Sequence, residues 1–310
     1  MGYNDSRGES FMPNSKPIKE YMTDSPSYKT AESRQYLVVK HNDIIQKSKF
    51  TIKRNEGESL SLLEQKVLLY VISRIKPEDT ELKEQIFDIA EFCRVCGIQA
   101  GGNNYPYLKE VISKLKGRVM WLVGEDYETT VSWIDKATIY KKSGKIKIRL
   151  DEDMKPYLLM LSKNYTMYPL HNIIKMKTKY GIMLYELLKS AYFKGSVIEF
   201  EVQELKESLD CVSYENFSNF RKKVILPAIE DINTYTELKV DVDFKKTGRS
   251  FSHVIFTMTD LNKSKSPKDK EEAARRFYNI ENEIYQISLF DKDIEFSVSP
   301  GGEADGNTTV

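Results

Sequence analysis

The stretch Leu238-Lys239-Val240-Asp241-Val242-Asp243-Phe244-Lys245-Lys246-Thr247-Gly248-Arg249, continued by Val254, Phe256 and Met258, decides the fold. Apolar and charged residues alternate with period two, so each strand buries one face and wets the other. Lys246-Thr247-Gly248-Arg249 supplies the turn between them, with a glycine where the chain reverses. Working back from this hairpin, Phe217, Phe220 and Val224 fall at i, i+3 and i+7, the spacing of one helix face. Ser213 is placed to cap a helix starting near Tyr214. Further back, Ile198-Glu199-Phe200-Glu201-Val202 alternates as a short strand and runs into a helix from Gln203 to Leu209. Ahead of it, Tyr180, Leu184, Leu187, Leu188 and Ala191 mark another amphipathic helix. The order is helix, short strand, helix, loop, helix, hairpin.

The same order occurs earlier in the chain. Ser61-Leu62-Leu63-Glu64 is a capping box, in which hydroxyl and carboxylate satisfy orphan N–H groups at a helix start. Leu63, Val67, Tyr70 and Val71 then share one helix face. Ile86-Phe87-Asp88-Ile89 reads as a strand entering a helix from Ala90 to Cys96. Phe87 and Phe200 stand 113 positions apart, and that offset places Tyr107 on Phe220, Lys109 on Lys222 and Val111 on Val224. A third helix starts near Pro106, a residue suited to a first turn. After the turn Lys142-Ser143-Gly144, Ile146, Ile148 and Leu150 alternate with Lys145, Lys147 and Arg149. Three helices closed by a β-hairpin make a winged helix-turn-helix. Two in tandem predict an α+β protein with no parallel sheet.

Outside the repeat the composition changes. Residues 1–34 are rich in Ser, Pro, Asn and Gly, too poor in apolar surface to offset ordering entropy, and read as a disordered arm. The expected domains are 35–163 and 164–261, followed by a mostly disordered tail over 262–310.

The 310 residues carry 47 Lys+Arg against 46 Asp+Glu. A net charge of +1 argues against a histone-like polycation and leaves nucleic-acid binding to local patches. No apolar run approaches the ~20 residues that span a bilayer, and Met1 to Glu20 lack the apolar core of a signal peptide. Three cysteines favour a reducing cytoplasm over a disulfide framework. Enzyme signatures are missing. There is no phosphate-binding GxxxxGK[ST] loop. His41, His171 and His253 are isolated, so a nickase with a paired-histidine metal site is disfavoured. Cys93-Arg94-Val95-Cys96 has metal-knuckle spacing, but only Cys211 remains as a further thiol and zinc needs four ligands. The expectation is a protein without catalysis, cofactor or metal.

The candidate chemistry is duplex recognition. Opposite the core face of the helix from Tyr214 stand Glu215, Asn216, Asn219, Lys222 and Lys223, with Arg221 at the flank. Asn pairs with adenine edges, and Arg and Lys read guanine or hold phosphate. Lys245, Lys246 and Arg249 at the hairpin tip are placed to reach phosphate or a minor groove. In the first repeat the corresponding set is Lys109 and Lys114 on the helix with Lys142 and Lys145 at the hairpin. An ordinary solvated face carries the same residue types.

Taken together, these residues resemble plasmid replication initiators of the iteron-binding, tandem winged-helix family. The resemblance is carried by Lys177 to Leu188, by Tyr214 to Asn233, by the wing Lys245-Lys246-Thr247-Gly248-Arg249 with Ile255-Phe256, and by Val38-Val39-Lys40-His41-Asn42 at the start of the first domain. It implies a second domain that docks its third helix in the major groove of repeated origin sites. It implies a first domain that contacts adjacent DNA and mediates dimerisation. Such initiators bind iterons as monomers, repress their own gene as dimers, open an AT-rich segment and recruit the host replisome. A plain winged-helix transcriptional repressor is the alternative. In the tail, Gln286-Ile287-Ser288-Leu289-Phe290 resembles the bacterial sliding-clamp pentapeptide, with Ile287 as a departure. Gln286, Leu289 and Phe290 are its candidate contact residues.

Overall fold

The computed structural model describes residues 37–46, 52–54, 59–76, 79–96, 104–123, 126–264 and 266–268. In chain order these form β1 (Leu37–His41), α1 (Asn42–Gln46), β2 (Ile52–Arg54), α2 (Leu62–Ile72), β3 (Gln85–Asp88), α3 (Ile89–Cys96) and α4 (Asn104–Lys116). Then come β4 (Val119–Val123), β5 (Glu128–Ser132), β6 (Ile134–Tyr140), β7 (Lys145–Leu150), α5 (Lys155–Leu158), β8 (Tyr165–Pro169) and α6 (His171–Ile174). The second repeat holds α7 (Lys179–Ala191), β9 (Val197–Glu201), α8 (Val202–Ser208) and α9 (Phe217–Phe220). A π-helical turn (Arg221–Ile225) joins α9 to α10 (Leu226–Tyr235), and β10 (Leu238–Thr247) and β11 (Ser250–Asp260) close the domain. Among the described residues all the strand pairings are antiparallel.

The repeat is visible in the sheets. Phe87 on β3 faces Ile146 on β7, as Phe200 on β9 faces Val254 on β11. The sheets run β3-β7-β6 and β9-β11-β10. In each, a short strand from the helical part pairs with the return strand of the hairpin. The capping box forms at α2: Ser61 N–H donates to Glu64 at 2.9 Å and Glu64 N–H donates to Ser61 Oγ at 3.2 Å. The first domain also holds a sheet the periodicity did not predict, β2-β4-β5.

The offset of 113 fails at one position. Val111 and Val224 are both buried, but Tyr107 is 48% exposed while Phe220 is fully buried. Leu108, also fully buried, takes the role assigned to Tyr107.

The two repeats are tied together near the expected boundary. Strand β1 pairs with β8, so the first strand of the chain meets the segment leading into the second repeat. Lys40 on β1 forms a buried ion pair with Glu186 on α7, and the Tyr168 hydroxyl donates to the same carboxylate. Lys179 Nζ donates to Ser59 Oγ at 2.7 Å.

Candidate nucleic-acid interface

The third helix of the second repeat starts three residues later than the sequence suggests. Asn216, not Ser213, is its N-cap: Asn216 Oδ1 accepts from Ser218 N–H at 2.7 Å and Asn219 N–H at 3.4 Å. A short amide side chain at this position satisfies N–H groups that no helical carbonyl reaches. Its acceptor oxygen is therefore engaged with the helix start. Asn219, Arg221, Lys222 and Lys223 are all exposed, while Phe220, Val224 and Ile225 are fully buried beneath them. Among the described residues, neither Lys222 nor Lys223 forms an ion pair. Behind the turn Lys206 on α8 is buried, with Nζ 3.5 Å from the Glu215 carbonyl and over the Phe220 ring at 5.6 Å.

Aromatic rings hold the helix against the wing. Phe217 stacks on Phe251 with centroids 4.2 Å apart and meets Phe244 edge-on at 5.5 Å. The Arg221 guanidinium lies over Phe244 at 4.8 Å, and Lys246 Nζ over Phe251 at 4.7 Å. Such cation–ring contacts orient long side chains that would otherwise be free to rotate. At the other end of the helix, Asn233 pairs with both backbone groups of Val240, at 2.7 and 2.9 Å. Helix and wing are thus fixed at two points. Phe251 and Asn233 carry this geometry; the sequence named Asn233 only as the end of the stretch from Tyr214, and Phe251 not at all. An aromatic directly after the turn, Ser250-Phe251, was the available signal for the first.

The wing cations differ in availability. Lys245 Nζ is 3.1 Å from Glu199 Oε1 on β9. Lys246 follows an irregularity in the β10–β11 register. Arg249 is exposed beside Gly248, whose φ of +63° suits a residue without a side chain.

In the first repeat, Lys109, Lys114, Lys142 and Lys145 are exposed. Lys114 is paired with Glu110 at 2.6 Å, and this hydrogen bond raises its pKa. Along the strand face that begins at Lys145, Lys147 pairs with Glu84 at 2.8 Å and Arg149 with Asp135. Lys109 and Lys141 flank an open groove floored by Ile112, Ala137 and Ile139. Among the described residues, then, Lys114 is the ion-paired candidate cation of the first repeat and Lys245 that of the second.

Other candidate chemistry is placed as follows. Cys93 is buried, which pushes its thiol up to about 11, and Cys211 is buried as well. Among the described residues no cluster of His, Cys, Asp and Glu is arranged to hold a metal. No helix among them is long and apolar enough to cross a membrane. Gln286, Leu289 and Phe290 lie outside the described residues.

Fold and surface together define a tandem winged-helix protein whose second domain presents a cationic helix beside a cationic wing. Residues 37–189 match the family described as initiator replication protein, WH1, and residues 201–258 match initiator Rep protein, WH2. The chain belongs to this family of replication initiators. It is similar to a replication initiation protein of Escherichia coli, 33% identical over 119 residues, 37% of each chain. That similarity spans little more than a third of the curated relative's length. Among solved structures it is similar in fold to the Pi initiator protein in complex with iteron DNA, with a TM-score of 0.59 and 19% identity, covering 72% of this chain and 97% of that one.

Proposed function

We propose that the protein binds repeated duplex sites at a replication origin through its second domain and, by doing so, promotes origin opening. The observation that carries this reading is the row Arg221, Lys222, Lys223, exposed on a helix that is locked beside the wing bearing Lys246 and Arg249. An exposed helix of this kind fits the ~12 Å major groove, and a cationic hairpin beside it reaches the flanking backbone. Family membership and the fold shared with an initiator solved on iteron DNA support the same reading. The first domain supplies accessory phosphate contacts through Lys109, Lys142 and Lys145, and the protein acts as monomer and homodimer in the cytoplasm.

No catalytic step is part of this function. Binding energy, rather than bond chemistry, destabilises the origin, and host replication proteins complete initiation. Gln286-Ile287-Ser288-Leu289-Phe290 is the proposed contact with the host sliding clamp. Leu289 and Phe290 would each contribute roughly 1.5–3 kcal/mol if fully enclosed by a pocket, partly offset by ordering of the segment.

The test is complementation. A plasmid carrying the cognate origin and lacking this gene is maintained when the protein is supplied in trans, and lost with Lys222→Glu/Lys223→Glu. Repression of the gene's own promoter without plasmid maintenance would replace the initiator reading by that of a repressor. Leu289→Ala/Phe290→Ala abolishes clamp pull-down and leaves duplex affinity unchanged; clamp capture that survives it removes the tail from the proposal.

A further inference from the structure

The third helices of the two domains differ by one residue. In α4 the core side chains are Leu108, Val111, Ile112 and Leu115, spaced i, i+3, i+4 and i+7 as an α-helix requires. In the second domain they are Phe220, Val224, Ile225 and Ala228, spaced i, i+4, i+5 and i+8. Between the first core residue and the next pair, α4 carries Lys109 and Glu110, whereas the second domain carries Arg221, Lys222 and Lys223. The extra residue is housed in the π-turn, where Leu226 N–H bonds to the Arg221 carbonyl five positions back. Beyond it the two helices are in step again, and Pro227 stands where α4 has Lys114.

Pro227 accounts for the width of the turn. Proline has no N–H, and in an uninterrupted α-helix its ring collides with the carbonyl four residues earlier, here that of Lys223. Widening the turn ahead of the ring relieves that collision. A wider turn also rotates each residue by less than the ~100° of an α-helix. Phe220 and the pair Val224 and Ile225 can therefore share the core face with three residues between them instead of two, and the three intervening cations can all face outward. The turn thereby sets the angle between Asn219, ahead of it, and Lys222 and Lys223, within it.

We propose that this extra residue, locked in by Pro227, is the specificity device of the second domain: it rotates the cations into register with Asn219 so that the helix discriminates among duplex sequences. Pro227 is on this account a positioning residue that touches no DNA. The inference rests on the duplex binding proposed above.

The experiment uses the full chain and two probes: a duplex selected by the wild-type protein from a randomised pool, and a duplex with the same base pairs shuffled. Pro227→Ala restores the N–H. A second variant deletes Lys222 together with Pro227→Ala and so gives the helix the core spacing of α4. Lys222→Ala alone removes the charge and keeps the turn. The Pro227→Ala and deletion variants are expected to cut the ratio of selected to shuffled affinity by about tenfold, the scale of a mismatched base pair, with the melting temperature retained. Lys222→Ala is expected to weaken both probes alike. A wild-type ratio in the first two variants overturns the proposal, and so does a drop in melting temperature with both affinities falling together. Should Pro227→Ala fail to fold, the deletion variant decides; if that also fails, the extra residue serves packing and the proposal is wrong. Failure of the underlying reading looks different: the wild-type protein then selects no duplex, or Lys222→Glu/Lys223→Glu binds as wild type.

Discussion

The carboxylate of Asp231 occupies the place where a side chain at position 181 would begin: its Oδ2 lies 2.6 Å from the Cβ position of Gly181. Asp231 belongs to α10 and Gly181 to the first turn of α7, so the contact joins the candidate reading helix to the helix that packs on the first domain. The carboxylate accepts from Lys177 N–H at 3.1 Å, Thr178 N–H at 2.8 Å and Thr178 Oγ1 at 2.7 Å. Thr178 Oγ1 in turn accepts from Gly181 N–H at 2.8 Å.

Gly181→Ala should therefore destabilise the protein even though alanine favours a helix by about 1 kcal/mol. A buried carboxylate held by three donors cannot give way, and overpacking of this kind costs roughly 1–3 kcal/mol. Asp231→Asn should destabilise too, because one oxygen facing those donors becomes an NH₂ group. Urea unfolding checks both. A Gly181→Ala midpoint at or above that of wild type would show that the close approach carries no weight.

A half-buried ion pair, Lys189 with Glu237, makes stability depend on pH. Burial alone would push the Glu237 carboxyl up, but the Lys189 ammonium beside it, together with hydrogen bonds from Lys189 and Tyr185, holds it below the usual glutamate value. A folded-state pKa below the unfolded one means stability that is present above the unfolded value and lost as pH falls through the folded one. Burial likewise opposes the charge on Lys189, and Glu237 raises its pKa above the usual lysine value; that contribution is present below the unfolded value and lost as pH rises through the folded one. Thermal melting should thus decline below about pH 4.5, the unfolded glutamate range. Glu237→Gln should cost about 3 kcal/mol at neutral pH and flatten the acid limb. An acid limb unchanged in Glu237→Gln would assign it to other carboxylates.

The legible parts of the fold were those set by local periodicity and caps. Ser61 with Glu64, the short alternating strands around Phe87 and around Phe200, and the alternation from Leu238 to Phe244 are each local patterns, and each appears as read. Features set by tertiary contact were not legible. Asn216 caps the helix in place of Ser213 because the chain before it forms a separate turn, with Tyr214 N–H bonded to the Cys211 carbonyl. Tyr107 is exposed because the repeat offset slips by one residue at the π-turn. The pairing of β1 with β8 joins segments more than a hundred residues apart. At the candidate interface, the cations could be named from sequence, but not their neutralisation: only the fold brings Glu199 to Lys245 and Glu84 to Lys147.

The aromatic contact between helix and wing should matter for binding more than for folding. Phe251→Ala removes the stack on Phe217 and the ring beneath Lys246, a stability loss of about 1 kcal/mol from the ring pair. The wing tip then loses its stacked contact and is held beside the helix only by Phe244 and by Asn233, so affinity for the selected duplex should fall by about tenfold. Phe251→Tyr, which keeps the ring, should restore it. Equal affinity in Phe251→Ala and wild type would mean that the hairpin alone sets its position.

The salt dependence of duplex binding should rank the cations by their neutralisation in the folded protein. Each phosphate contact contributes about 0.9 to the slope of log K against log salt on duplex DNA. Lys222 and Lys223, exposed and without an ion pair among the described residues, should each lower that slope by about 1 when changed to Ala. Lys245 already faces Glu199 at 3.1 Å and Lys114 faces Glu110 at 2.6 Å, so fewer counterions gather on them and fewer are displaced. Lys245→Ala and Lys114→Ala should change the slope by clearly less than Lys222→Ala. Glu199→Ala, which frees Lys245, should steepen it. Titrations at several salt concentrations with a selected duplex measure all five. If Lys114→Ala lowers the slope as much as Lys222→Ala, the first domain holds the backbone as firmly as the second, and the assignment of the main interface to the second domain is wrong.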